Sequence, residues 1–325
     1  MEFRTEIKPL YGVAGTIRHG DPIMMLGSCF TDNIGRCLRD ELFEVEVNPF
    51  GPIYNPLSLL RGVETLVNKR HITAEELIEN EGRYHSFIFH SRYSASGNPQ
   101  DVCAGMNSQI DRAADVLEKC SVLILTLGTN KVYTLKSTGE TVANCHKLPA
   151  SVFESYPLTI DETIDALEKL YLTFRTVNHS GRLIFTVSPL RYLGDGAHAG
   201  QVAKATLLLA VDALIAAHPD EVGYFPSYEI MMDDLRDYRF YAEDMRHPSD
   251  VAVKYIYEIF KASYFDEETK RIAAEASRLT RRLAHRSFSG FSPEEEAAKR
   301  EMAEKFILTY PKLQSAYKRY TINGI

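Results

Sequence analysis

Five short runs of apolar and β-branched residues, each bounded by turn residues, punctuate the chain at 23–26, 43–47, 121–127, 182–187 and 222–225. Their apolar positions are continuous rather than alternating, the pattern of strands covered on both faces, so they are predicted to be parallel core strands. Between them the apolar period lengthens to that of a helix, as in Ile34, Leu38 and Leu42, then Leu59, Leu60, Val63, Leu66 and Val67, then Ile110, Ala114 and Leu117. Thr159 and Glu162 read as a capping box opening a helix through Ile164, Leu167, Tyr171 and Phe174. An Ala- and Leu-rich helix is predicted over 201–217, and Ser249 is placed to cap one carrying Val253, Ile256, Ile259 and Phe260. Strands alternating with helices imply an α/β, doubly wound parallel five-stranded sheet with helices on both faces. The expected strand order is 2-1-3-4-5, which leaves a crevice between the carboxyl ends of strands one and three.

Two regions depart from this plan. Residues 84–93, and the pair 131–135 and 141–143 around Ser137-Thr138-Gly139, read as small antiparallel additions. After residue 265 the composition shifts to charged helix over 267–285, a break at Ser287 to Gly290, and a second helix over 293–309. Ile272, Ala276, Leu279 and Leu283 fall at helical spacing, so the tail is expected to pack on the rest. This divides the chain into a main domain, 1–265, and a helical C-terminal extension, 266–325.

With 37 basic and 44 acidic residues the net charge is −7, which argues against nucleic acid as a partner, since such surfaces are built from Lys and Arg. No stretch reads as a membrane helix and the N-terminus has no signal-peptide pattern, so the expectation is a soluble, cytoplasmic protein with no membrane partner. The five cysteines, Cys29, Cys37, Cys103, Cys120 and Cys145, are odd in number and scattered, which reads as reduced thiols.

The candidate chemistry lies at the strand ends. Gly27-Ser28-Cys29 follows strand one and Gly128-Thr129-Asn130 follows strand three, so the two motifs face each other across the crevice. Ser28 is a candidate nucleophile, or equally a helix cap. Asp244 and His247, one helical turn apart, are a candidate carboxylate and base, and Asn130 can donate its amide to an oxyanion or simply form a turn. Arg191, Lys204 and Arg239 are candidates to face the crevice and bind an anionic or polyhydroxylated substrate, or are solvated surface charges. Asn144-Cys145-His146-Lys147, with His85 and His90 elsewhere, lacks the tight spacing of a metal site, so Asn144 and His146 are read as pocket lining with no metal.

The segments Gly27-Ser28-Cys29-Phe30, Asn48-Pro49-Phe50-Gly51, Tyr54-Asn55-Pro56, Val142-Ala143-Asn144-Cys145-His146-Lys147, Thr186-Val187-Ser188-Pro189 and Asp237-Tyr238-Arg239-Phe240-Tyr241, ahead of Asp244 and His247, together resemble the GSCFA-domain family. That family in turn resembles the SGNH or GDSL-type serine hydrolases, of flavodoxin-like fold, which act on esters and glycan acyl groups without a metal or other cofactor. The resemblance implies Ser28 as nucleophile, Asn130 and Gly51 as oxyanion donors, and Asp244 with His247 completing a triad. Laying Gly27 over the glycine of the hydrolases' Gly-Asp-Ser instead puts Cys29 on the catalytic position, and a cysteine near a helix N-terminus is the better nucleophile.

The function expected from this reading is a serine-type ester hydrolase acting on a small-molecule or glycan ester. The alternatives are an acyltransferase or a Cys29-dependent thioesterase using the same site, and, from another class, a non-catalytic glycan-binding module.

Overall fold

The computed structural model of the chain describes residues 4–8, 15–285 and 292–324. In chain order the main body comprises β1 (Ile23–Gly27), α1 (Cys29–Asp40), β2 (Val45–Val47), α2 (Pro56–Val67), α3 (Pro99–Lys119), β3 (Val122–Leu127), α4 (Ile160–Arg175), β4 (Arg182–Val187), α5 (Ala197–Ala217), β5 (Val222–Phe225) and α6 (Asp250–Tyr264). The tail adds α7 (Glu267–Ala284), α8 (Pro293–Thr309) and α9 (Gln314–Gly324). All five strands are parallel, in the spatial order β2-β1-β3-β4-β5.

The strand period of two sorts the apolar runs onto two faces. Met24, Leu26, Leu123, Leu125, Leu127, Leu183, Phe185, Val187, Val222 and Tyr224 pack with α2, α3, α4 and α5. Ile23, Met25, Val45, Val47, Val122, Ile124, Ile184 and Phe225 pack with α1 and α6. Each fully buried side chain of this kind contributes about 1.5–3 kcal/mol relative to exposure.

Thr159 caps α4 with its capping box complete, and Ser249 caps α6. Helix α1 stops at Asp40, short of the expected Leu42, which turns out at φ 57° and packs against the tail. Helix α5 begins four residues before the expected start, and by length and mean hydropathy (1.5) it matches a membrane span, contrary to the expectation that no stretch would. Its inner face, including Leu207, Ala210, Val211 and Leu214, packs on the sheet.

The antiparallel additions differ from expectation in their partners. Ile78–Asn80 pairs with Arg83–His85, and Lys131–Leu135 pairs with Phe153–Pro157. The expected pairing with 141–143 is present in short form as well: Thr141 bridges Thr134, Leu135 N–H donates to Glu140 O and Val142 N–H to Tyr133 O, both at 2.9 Å, and Gly139 N–H closes the turn onto Leu135 O at 2.7 Å. Phe153–Pro157 escapes sequence reading because only Phe153 is buried. In the tail, Ile272, Ala276, Leu279 and Leu283 pack with Ala303, Leu313 and Leu42, and Thr280 donates to Asp40 O at 2.6 Å, tying α7 to the end of α1. The expected break at Ser287 to Gly290 lies outside the described residues.

Candidate active site

The tip of β1 is built by close approach. Gly27 has φ 143°, and a Cβ there would lie 2.3 Å from Thr126 O, so no larger residue fits between β1 and β3. Gly27 N–H donates to Asn48 Oδ1 at 2.9 Å, and the side-chain nitrogen of Asn48 donates to Asp32 Oδ1 at 2.9 Å. Asn48, itself at φ 46° and fully buried, thereby joins the strand tip to the first turn of α1. Arg92 closes the same network, donating to Asn48 O at 3.1 Å and lying 3.4 Å from Asp32.

Ser28 takes the cap position of α1. Its hydroxyl is fully buried and accepts from Phe30 N–H at 3.3 Å, while its own N–H donates to Thr126 O at 3.1 Å. An N-cap serine satisfies one of the helix's otherwise unpaired donors, and that is the work this hydroxyl does. Cys29, the first residue of α1, is only partly buried. Burial, then the neighbouring Asp32 carboxylate, push its thiol above the ordinary range; the backbone N–H groups of Cys29 and Phe30 and the charge of Lys204 pull the other way. At neutral pH Cys29 is therefore a protonated thiol that needs a base. Tyr54, beside it, is pushed up to about 12 by burial first and by the Cys29 and Asp32 charges next.

The expected oxyanion donors are committed elsewhere. Ser28 N–H is held by β3; Asn130, buried, turns its side-chain nitrogen onto Leu158 O at 2.8 Å, and Leu158 N–H returns to Asn130 O at 2.9 Å. Gly51 N–H donates to Asn48 O at 2.7 Å, and its glycine identity is required because a Cβ would lie 2.3 Å from His90 Cβ. In the first turn of α1 the N–H groups of Phe30 and Thr31 are taken by the Ser28 hydroxyl and carbonyl (3.3 and 2.9 Å), which leaves Cys29 N–H and the helix dipole at that end.

Asp244 and His247 do pair, through a turn rather than the expected helical spacing. Asp244 Oδ1 accepts the N–H groups of Arg246 (2.9 Å) and His247 (3.0 Å), and Oδ2 meets His247 Nδ1. These bonds hold the Asp244 carboxyl well below its usual range, the His247 N–H first among them. The turn puts Met245 at φ 56°, a conformation costly for a side chain with a Cβ. Nε2 of His247 has no partner among the described residues. The turn is anchored by Ala242 N–H on His247 O (2.8 Å), and it is linked to the loop after β4 by Arg191 N–H on Arg246 O (3.2 Å). Adjacent strands lie about 4.8 Å apart, so the end of β4 stands two strand spacings from Cys29, on the same edge of the sheet.

The remaining candidates separate. Arg191 lines a small pocket with Tyr192, Gln201, Lys204 and Tyr228. Lys204 is neither a surface charge nor a free substrate ligand: it is buried, and Nζ donates to Gly128 O at 2.9 Å and Ser188 O at 2.8 Å. Arg239 is largely exposed, stacks over Phe240 and lies 3.5 Å from Asp237, so it does not reach the crevice floor. Asn144 Oδ1 accepts His146 N–H at 2.8 Å, and His146 is buried with Nε2 at 2.8 Å from Ser86 O and its ring 4.6 Å from His85. Burial brings His146 down to about 4, so the ring is neutral. Among the described residues no group of three or more His, Cys, Asp or Glu side chains is arranged to hold a metal ion.

Sequence reasoning missed Asn48 and Asp32 as builders of the site, and the two carbonyls that hold Lys204. The one available signal was that Asn48 precedes Pro49 in a turn segment, where left-handed asparagines are common. No curated protein matches the chain. The profile of the GSCFA family matches residues 22–260, from the start of β1 into α6, and the chain belongs to the GSCFA family.

Proposed function

We propose that this chain is an acyl-transferring ester hydrolase of SGNH type in which Cys29, rather than Ser28, is the nucleophile. The observation that carries the reading is the division of labour at the tip of β1: the Ser28 hydroxyl is buried as a helix cap, and the next residue, Cys29, is only partly buried at the N-terminus of α1. The 2-1-3-4-5 sheet order, with its switch point at this tip, supports an SGNH-like arrangement.

In the proposed mechanism His247 Nε2 takes the thiol proton and Asp244 holds Nδ1, stabilising the imidazolium. Sγ bonds to the ester carbonyl carbon, whose π pair moves onto oxygen and is received by Cys29 N–H and the α1 N-terminus. Collapse breaks the C–O bond, and the alkoxide leaves with the proton from His247. A water then gives a proton to His247 and attacks the thioester; its collapse returns that proton to sulfur and releases the acid. A sugar hydroxyl in place of water makes the same site an acyltransferase. The substrate class we propose is a small or carbohydrate O-acyl ester.

The test is hydrolysis of p-nitrophenyl acetate by wild type, Cys29→Ala and Ser28→Ala. Loss of turnover in Cys29→Ala on the order of 10³-fold, with Ser28→Ala active, supports the proposal. The reverse pattern returns the nucleophile to Ser28, and no turnover by any of the three points to a non-catalytic glycan-binding module.

A further inference from the structure

Lys204 is the most unusual charged group in the molecule. It sits in the middle of α5, is 3 % exposed, and forms no ion pair among the described residues. Its two acceptors are the carbonyls of Gly128 and Ser188, the first residues beyond β3 and β4. Burying a lone ammonium is costly unless it is well hydrogen-bonded, and two carbonyls leave one N–H without a protein acceptor.

The topology says what that cation faces. In the parallel register Gly27 pairs with Thr126, so two residues further along each chain Cys29 and Gly128 flank the same crevice. Ser188 N–H on Leu127 O (2.8 Å) draws the next strand end into the same cluster. On its other side the ammonium lies 5.4 Å from the Tyr228 ring centre. The titratable and charged groups around Cys29 are Asp32 on its own helix, Tyr54 from the loop before α2, Arg92 through Asp32, and Lys204 from α5; His247, the base of the proposed mechanism, makes no hydrogen bond to Cys29 among the described residues and is present in both the wild type and Lys204→Met.

We propose that Lys204 is a positioning residue of the Cys29 site: held on the Gly128 and Ser188 carbonyls, its ammonium braces the two strand ends and is the cation against which the thiolate forms. The inference rests on the reading of Cys29 as the reactive group. It adds a second role for α5, which covers the sheet and also carries a charge to the crevice floor. Burial lowers Lys204 to about 7, so the cation is present below neutrality and lost above it. Its help to Cys29 must fade over the same interval.

The experiment is the pH dependence of iodoacetamide alkylation at Cys29, followed by peptide mapping, in the full-length wild type and Lys204→Met, with folding of both checked by circular dichroism. Near pH 6 the wild type is expected to alkylate faster by on the order of tenfold, and the two rates converge above about pH 9 as the wild-type lysine loses its proton. A ratio that is unity throughout, or constant across pH, overturns the proposal, since a purely structural lysine would not change the shape of the profile. If Lys204→Met does not fold, Cys29→Asp places a carboxylate where the thiolate would stand. Lysine NMR must then show the Lys204 titration midpoint higher than in the wild type, and an unchanged midpoint is the contradicting result. Alkylation needs no substrate, so a wild type that alkylates as expected but turns over no ester refutes the hydrolase and leaves the Lys204 role intact.

Discussion

The two halves of the candidate site are built in opposite ways. At the tip of β1 the backbone groups that flank Cys29 are tied to neighbouring elements: Gly27 to Asn48, Ser28 to Thr126, Gly128 to Tyr54 and Lys204. The Asp244–His247 turn is exposed and closes on itself, with one backbone bond, Arg191 to Arg246, linking it to the loop after β4. The proposed nucleophile is thus held by the fold, and the proposed base by a local turn. Damage on the first side must cost stability as well as chemistry, whereas damage on the second side should cost chemistry alone.

The sharpest break of that comparison is His247→Ala. It should lower ester turnover by about 10²–10⁴-fold and leave the thermal unfolding midpoint unchanged, because the ring is removed from an exposed turn. A large drop in the midpoint would show that the turn supports the core. Gly27→Ala should do the converse, destabilising by about 3 kcal/mol or more in denaturant unfolding, since its Cβ would lie 2.3 Å from Thr126 O. A stable Gly27→Ala protein would mean that β1 and β3 can part at their tips.

Acid loads the buried body of the protein and spares the Asp244–His247 turn, on a smaller scale. His146 and His19 are buried and neutral, each brought down to about 4 from an ordinary 6.5, by burial in both cases. Their folded pKa values lie below the unfolded ones, so the unfolded chain binds protons first as pH falls. Stability should decline from about pH 6.5 down to about pH 4, by on the order of 3 kcal/mol per ring. Denaturant melts at pH 7 and pH 4.5 read this directly, and His146→Gln should flatten part of the slope. The Asp244 carboxylate lies well below this window and stays ionised through it. The smallest effect is expected of Ser28→Ala, which removes a cap worth about 1 kcal/mol and should leave turnover within about threefold of the wild type.

How far the sequence could be read follows from what each pattern encodes. Apolar runs locate strands well, because a run covered on both faces admits few alternatives, and the caps at Thr159 and Ser249 announced two helices. The change from Ser28 to Cys29 is a single-residue offset at a strand-to-helix junction. There the chemistry that recommends a serine as nucleophile recommends it equally as a cap. Asn130 and Gly51 were legible as donors but not as donors already spent, since their acceptors, Leu158 O and Asn48 O, are fixed only by the tertiary fold or the turn. Lys204 was legible as a charge that could face the crevice or solvent, but not as one held by backbone; the two strand-end carbonyls that hold it come from residues 76 and 16 positions away.

In the proposed mechanism Cys29 Sγ is the atom that becomes acylated. Acid-quenching the protein during turnover of p-nitrophenyl acetate, followed by peptide mass spectrometry, should find one acetyl group on the peptide containing Cys29, removable by neutral hydroxylamine as a thioester is. An acetyl group on Ser28, or steady wild-type turnover with no acetyl on Cys29 in the quenched protein, would contradict it.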